Sequence, residues 1–304
     1  MPPNSPTTHS DTTFPLAKPI PVSVIIVTKN EERRLPRCLE SIKDVFDDIW
    51  IVDSASTDQT RAIAKNFGAQ IHPYIWNGRY PKKRQYCLDS LPLKYDKVFF
   101  LDADEYIPPT LTQEIAALDW SYAGYFIKGC YLWRGHPLKH GLHNNKLALF
   151  DRRFIEFPPV DDLDIPGMDE IEGHYQPVLK RDHTHRSLGQ IKTPLWHDAM
   201  DDFKSWKTRH KRYAAWEAGM NAKNAWPKDP VPMRQKLKQT FRRLPARGLA
   251  AFLHSYILKR GFMDGFPGFE LARRRALYYR MISDASKAVE KPAVSATPAP
   301  APHK

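Results

Sequence analysis

Three apolar runs of strand length, each closing on a polar or acidic tip, constrain this chain more than any other feature. Residues 22–27 (VSVIIV) are β-branched and almost continuously apolar before Thr28, Lys29, Asn30 and Glu31. Residues 49–52 (IWIV) end on Asp53, and residues 97–101 (KVFFL) run into Asp102, Asp104 and Glu105. Such continuous runs suit strands covered on both faces, as in a parallel sheet. Between the first two, Leu35, Leu39, Ile42 and Phe46 recur at spacings of three and four, which predicts an amphipathic helix within 31–49. Residues 54–58 (SASTD) supply the capping chemistry of another helix start. A third strand near 70–74 and a basic helical segment at 81–88 continue the alternation. Strands alternating with helices imply crossover connections, and so an α/β fold with a mostly parallel sheet. No G-x-G-x-x-G follows the first strand, which removes the main support for a dinucleotide-binding enzyme.

Open α/β sheets place their ligands at the carboxyl ends of the strands. Asp102 and Asp104 stand two apart at such an end. On a continuing strand their carboxylates would share one face and could grip a hard cation together. The bland alternative is a strand that ends in a solvated acidic turn.

Composition narrows the setting. The 304 residues are 42% hydrophobic and 26% charged, ordinary values for a globular chain that holds one α/β domain and an appendage. Cys38, Cys87 and Cys130 are odd in number and widely spaced, which suits neither a disulfide framework nor a zinc site and points to a reducing cytoplasm. No stretch at the start reads as a secretory leader, and the longest late apolar region, 249–258, is broken by His254 and too short to span a bilayer. A cytoplasmic protein, or one lying on the inner face of the cytoplasmic membrane, is expected. Residues 201–280 hold 19 Lys and Arg against 6 Asp and Glu, which is the whole of the net charge of +12. Such a segment suits an anionic membrane, a polyanion or a nucleic acid. Residues 1–19 are rich in Pro, Ser and Thr and the tail 289–304 in Pro and Ala; both are expected to be disordered.

Residues 22–31, then 51–58 (IVDSASTD), then 101–105 (LDADE), resemble the three successive signatures of family 2 glycosyltransferases of the GT-A fold. The resemblance extends over residues 21–288. It implies a Rossmann-like GT-A catalytic domain over 20–200, a basic helical extension over 201–288, and inverting transfer of a sugar from a nucleotide-diphosphate donor, with a UDP-hexose expected. Carried over residue by residue, Thr28 and Glu31 border the nucleotide, and Asp53 faces the base or ribose. Ser54 stands where the family often has a second acid, and a helix-capping role is the alternative for Asp53. Arg84 matches a basic residue that contacts the donor, and its guanidinium suits a diphosphate. Asp102 and Asp104 match the D-x-D pair, with Asp104 the first choice as ligand of a divalent ion, Mg2+ or Mn2+. Lys82 and Lys83 read as solvated.

The acceptor half begins at residues 124–134, a strand, followed by a polar loop in which His136 and His140 are candidate acceptor contacts. Another strand is expected at 146–151. Inverting transfer needs a carboxylate to take the proton of the attacking hydroxyl. Residues 168–173 (MDEIEG) resemble the motif that supplies it in bacterial lipopolysaccharide and exopolysaccharide relatives, which implies Glu170 as base with Asp169 second; Asp161 and Asp162 read as a solvated loop. His197 could bind metal or phosphate, or simply begin a helix. Further on, Phe241, Leu244, Leu249, Phe252, Leu253, Tyr256 and Ile257 could form one apolar stripe flanked by Arg242, Arg243, Arg247, Lys259 and Arg260, as in an interfacial membrane helix; closure of the core is the alternative. The partners implied are a nucleotide-sugar donor, a saccharide or lipid-linked glycan acceptor and an anionic membrane surface. A nucleotidyltransferase would usually carry a glycine-rich basic loop after the first strand, and residues 28–34 are not one. A nucleic-acid-binding protein would leave the strand-end acids unexplained, so no nucleic-acid partner is expected.

Overall fold

The computed structural model describes residues 18–173, 175–200 and 202–290. The first apolar run forms β1 (Ser23–Thr28), followed by α1 (Leu35–Glu40), β2 (Asp48–Asp53), α2 (Thr60–Asn66), β3 (Gln70–Pro73), α3 (Lys83–Ser90) and β4 (Lys97–Phe100). β1 pairs in parallel with both β2 and β4, and β2 with β3. Side chains alternate along β1 between two buried layers, Val24 and Ile26 facing one and Ile25 the other. That two-sided burial is why the run carries no polar alternation.

The helix within 31–49 is shorter than its spacing predicts. It stops at Glu40, where the Ser41 hydroxyl donates to the Cys38 carbonyl at 2.7 Å and competes with the helical ladder. Ile42 and Phe46 lie on the turns that follow and are still buried, so the periodicity reports burial rather than an unbroken helix.

After β4 the sheet changes character. β5 (Glu105–Tyr106), α4 (Pro109–Ala116), β6 (Gly124–Trp133), β7 (His136–Pro137), β8 (Asn144–Asp151), β9 (Ile155–Glu156), β10 (Val178–Leu179), β11 (Leu188–Gln190) and β12 (Leu195–His197) follow in order. The main path is β3-β2-β1-β4-β8-β6-β12-β5, with β7 and β11 attached to β6. β8 runs antiparallel to β4 and β6, whereas β12 is parallel to β6 and antiparallel to β5. This is a mixed α/β architecture, with a parallel first half and a mixed second half.

Every later element is helical: α5 (Phe203–Lys223), α6 (Pro232–Arg243), α7 (Arg247–Leu253), a π-helical turn over His254–Leu258, a 3-10 turn over Gly261–Asp264, and α8 (Gly265–Glu290). The Asp202 carboxylate caps α5 by accepting from the Lys204 and Ser205 amides. A third buried cluster joins the acid-rich loop to α5 through Ile165, Met168, Tyr175, Trp216 and Met220. Gly167 fits because its φ is +118° and a Cβ there would stand 2.3 Å from the Arg212 carbonyl oxygen. Among the described residues, no helix is long and apolar enough to cross a membrane.

Candidate active site

The acidic tip after β4 is a turn, not a continued strand, so Asp102 and Asp104 do not grip one ion side by side as their spacing suggests. Asp102 accepts from Arg84 Nη2 at 3.3 Å and from Lys146 Nζ at 2.9 Å. Lys146, on β8, also bonds the buried carboxylate of Glu105. Asp104 turns elsewhere: its Oδ1 lies 3.5 Å from His197 Nε2 and its Oδ2 3.6 Å from Arg34 Nη1.

Sheet register makes the Asp104–His197 meeting. β5 begins one residue after Asp104 and pairs antiparallel with β12, setting His197 opposite Glu105; the Asp198 amide then donates to the Asp104 carbonyl at 2.8 Å. On its other side β12 pairs with β6, and the Tyr131 ring stacks on His197 with centroids 5.0 Å apart. His197 is therefore held by two strands and does not start a helix.

Burial by itself would raise the pKa of both aspartates. His197 and then Arg34 overcome it at Asp104, and Lys146 and then Arg84 overcome it at Asp102, so both carboxyls are held below the ordinary carboxylate range. Burial would lower the pKa of His197, but the Asp104 carboxylate raises it above the usual histidine value. Glu105 is different, because burial outweighs Lys146 and leaves its carboxyl raised. Its Oε1 is buried without a partner.

The residues present fit a divalent ion. Asp104 Oδ1 and His197 Nε2, a carboxylate oxygen and an imidazole nitrogen 3.5 Å apart, are close enough to bind one ion. Among the described residues no group of three His, Cys, Asp or Glu side chains is gathered as a ready ligand set. Two protein ligands with the rest of the shell from phosphate and water is the usual arrangement of Mg2+ with nucleotides. Asp102 is not part of this pair, since both its oxygens face cations.

The tips of β1 and β2 are knitted to each other. Asp53 is 1% exposed and accepts from the Thr28 hydroxyl at 3.0 Å, the Ser56 hydroxyl and the Ser56 amide at 2.9 Å. Both Thr28 and Asp53 are thus spent on shaping the turn ahead of α2, and Asp53 does not cap that helix, whose N-cap Gln59 has no side-chain cap bond. Glu31 forms a two-pronged pair with Arg34, at 2.9 and 3.0 Å, and so belongs to the charge network around Asp104.

The loop that supplies the expected base packs on the first turn of α3. Glu170 Oε1 is 2.6 Å from Lys83 Nζ, and the Glu170 carbonyl accepts from the Lys83 amide. Glu172 caps the same helix by accepting from the Arg84 and Gln85 amides, each at 3.0 Å. Arg84 therefore stands between this loop and Asp102. Asp169 is 64% exposed, with Arg212 Nη2 at 4.0 Å.

Three expectations are corrected here. Lys82 and Lys83 are not solvated: they are 1% and 2% exposed and end on Asp162, at 2.7 Å, and on Glu170. Asp162 is buried too, and accepts from the Tyr80 hydroxyl at 2.7 Å and Trp216 Nε1 at 2.9 Å, whereas Asp161 is exposed as the loop reading has it. Sequence reasoning misses these pairs because their partners lie about eighty residues apart. His140 is tied to Asp264, its ring Nδ1 at 3.1 Å and its amide at 2.8 Å, and so is engaged in tertiary structure; His136 is exposed at the tip of the β6–β7 hairpin. Lys146 and Arg34 also escape a reading of the sequence. A lysine heading an apolar strand is the one signal for Lys146.

The sequence model of Glycosyl transferase family 2 matches residues 23–163, which run from β1 into the acid-rich loop. An uncharacterised glycosyltransferase of Rickettsia prowazekii is 27% identical over 256 residues, covering 82% of this chain and 80% of the relative. The crystal structure of Staphylococcus aureus TarS 1–349 superposes with a TM-score of 0.44 at 18% identity, covering 88% of this chain and 90% of that one. Glucosyl-3-phosphoglycerate synthase of Mycobacterium tuberculosis, solved with Mn2+, UDP-glucose and phosphoglyceric acid, covers 64% of this chain and 78% of its own at 18% identity, with a TM-score of 0.38. Residues 23–163 are thus a family 2 glycosyltransferase domain, and the chain is a glycosyltransferase.

Proposed function

We propose that the enzyme transfers a sugar, with inversion, from a nucleotide-diphosphate donor to a saccharide or lipid-linked glycan of the bacterial surface, as in lipopolysaccharide core or exopolysaccharide synthesis. A UDP-hexose is the donor proposed, and the cytoplasmic face of the membrane the setting. The observation that carries the reading is the Asp104–His197 pair, which unites the acidic tip with a histidine 93 positions away and is bordered by Arg34, Lys146 and Arg84. Ionised carboxylates among fixed cations, at the ends of parallel strands, form a seat for a metal-neutralised diphosphate.

In this reading Asp104 and His197 hold Mg2+ or Mn2+, which supplies positive charge to the departing diphosphate. Arg84 stands beside Asp102 with a planar fork matched to phosphate oxygens. Lys146 holds Asp102 and Glu105 together and so fixes the shape of the tip. Glu170, oriented by Lys83, takes the proton from the acceptor hydroxyl while that oxygen bonds to the anomeric carbon and the nucleoside diphosphate leaves with the electron pair of the broken C–O bond. Asp169 is the second candidate for that proton transfer.

The test is thermal stabilisation by a panel of nucleotides and nucleotide sugars with Mn2+, with Mg2+ and with chelator. A ligand at a hundred times its dissociation constant stabilises the fold by about 2.7 kcal/mol, a rise of several degrees in Tm. One nucleoside diphosphate is expected to act only with metal, and Asp104→Asn and His197→Ala are expected to abolish its effect. Glu170→Gln should keep the stabilisation and lose transfer to the acceptor. No response to any nucleotide under any of these conditions would sink the reading.

A further inference from the structure

Between α7 and α8 the chain makes a blunt, apolar tip. Leu253, Ile257, Leu258, Phe262, Met263 and Phe266 fall within residues 253–266, and each is between 46% and 73% exposed. Leu249, at 60%, extends the face one helical turn back through Leu253 to Ile257, since residues four apart share a side of a helix. Beneath the tip, Phe252, Tyr256 and Phe269 pack edge to face and tilted at 5.2 to 5.9 Å, so the exposed side chains stand on a rigid base. Soluble chains rarely leave so many large apolar groups together in water.

The surroundings of the tip are cationic. Lys259 and Arg260 lie within it, and Arg134 and Lys139 border it from the β6–β7 hairpin and the loop beyond; all four are exposed. The one acid in 253–266, Asp264, is 11% exposed and is spent on the Lys139 and His140 amides and the His140 ring. Apolar side chains ringed by lysine and arginine, with the acid turned inward, complement an anionic bilayer interface.

The tip also stands next to the transfer site. Tyr131 and Trp133 are two apart on β6 and share one face, about 7 Å apart along the strand. Tyr131 stacks on His197, and Trp133 meets Phe266 edge to face at 5.9 Å. From these contacts we infer that residues 249–266 dock the enzyme onto an anionic lipid bilayer, so that a membrane-embedded, lipid-linked acceptor presents its head group beside Tyr131 and His197. The identity of the acceptor rests on the glycosyl-transfer reading; the docking surface does not.

The surface differs from the stripe that the sequence suggests. Phe241 packs against Tyr279, and Phe252 and Tyr256 support the tip from below; Leu258, Phe262, Met263 and Phe266 take their place at the surface.

Flotation of the full chain with vesicles, in the absence of nucleotide, tests the docking. Vesicles of phosphatidylcholine with a third phosphatidylglycerol should carry the protein up at low salt, and vesicles of phosphatidylcholine alone should carry much less. The triple variant Leu258→Ser, Phe262→Ser, Phe266→Ser should lose about tenfold in binding, and Arg134→Glu with Lys259→Glu should lose binding to the anionic vesicles. Both variants should stay folded and keep the metal-dependent nucleotide response, with the triple variant losing a few degrees of Tm at most through the Trp133–Phe266 contact. Asp104→Asn should float like wild type, so failure of the transfer reading leaves this result standing and failure of flotation leaves the nucleotide result standing. Absence of wild-type binding, or undiminished binding by the triple variant, overturns the inference. A dimer by light scattering that the triple variant dissolves, without flotation, assigns the tip to a second copy of the chain and overturns it as well.

Discussion

The α/β half and the helical half of this enzyme differ in what they bring to their surfaces. In the first, charged side chains are drawn in and paired: buried Lys82 with buried Asp162, buried Lys83 with half-buried Glu170, and half-buried Lys146 with Asp102 and the buried Glu105. In the second, apolar side chains stand in the open from Leu249 to Phe266 while their basic neighbours remain in solvent. A buried ion pair is poor evidence for stability, since desolvation cancels much of its attraction, but it fixes geometry once both partners are in place. Exposed apolar groups serve stability no better. Both departures from the ordinary plan accord with the two proposals made above, a diphosphate seat in one half and a lipid-docking tip in the other.

Removing one member of a buried pair would strike the first half hardest. Asp162→Ala leaves the Lys82 ammonium, the Tyr80 hydroxyl and Trp216 Nε1 without their acceptor, and should cost about 3–5 kcal/mol by urea denaturation. The double variant Lys82→Met, Asp162→Leu should recover part of that loss, because no charge is then stranded. Full additivity of the two substitutions would show that the pair is not coupled.

A smaller effect is expected where the halves join. A Cβ on Gly173 would come within 2.1 Å of the Trp216 ring, which is fully buried. Gly173→Ala should therefore cost about 1–3 kcal/mol and displace the Glu170 loop, lowering transfer more than nucleotide binding. Equal losses in the two assays would mean that the loop is not part of the acceptor side.

Within the helical half, the Asp229 side chain is 3% exposed and bonded to Arg234 and Lys238 at 2.8 Å. Burial tends to raise its pKa, yet Lys238 and the Val231 amide prevail and hold it below the ordinary value. A depressed folded-state pKa contributes stability that is present above the unfolded carboxyl pKa of about 3.9 and is lost as the pH falls through the folded value. Wild type should accordingly lose this contribution below about pH 4. Asp229→Asn should cost about 1–2 kcal/mol at neutral pH and flatten that part of the stability profile. An unchanged acid limb in the variant would remove Asp229 from the account.

The smallest change is expected at the exposed tip. Leu258→Ser, at a side chain 73% exposed, should alter stability by no more than about 0.5 kcal/mol. A loss of about 2 kcal/mol would show that the tip is packed in solution, and the contrast between the halves would fail.

Much of the site is legible in the amino-acid sequence. β1, β2 and β4 lie where continuous β-branched and aromatic runs place them, and Asp102, Asp104 and Arg84 all stand at their carboxyl ends or on the helix beside them. The role of His197 is open in the sequence between ligand and helix start, because a lone histidine carries no register. Asp53 looks available to a nucleotide and is instead tied to Thr28 and Ser56, a bond set by the parallel pairing Thr28↔Asp53. The apolar stripe is visible in outline, but which members face outward depends on how α7, the π-helical turn and α8 pack.

What the sequence determined by itself is local: strand or helix from the spacing of apolar residues, and the chemistry waiting at each tip. Those features follow from burial that repeats over a few residues, and periodicity records it. Only the tertiary structure decided the partnerships. The antiparallel register of β5 on β12 brings Asp104 to His197, β8 carries Lys146 to Asp102, and the acid-rich loop folds over Lys82 and Lys83. Each of these contacts joins residues from about 40 to about 100 positions apart, and pairing at that range is set by sheet register and helix packing rather than by any pattern a short window of sequence contains.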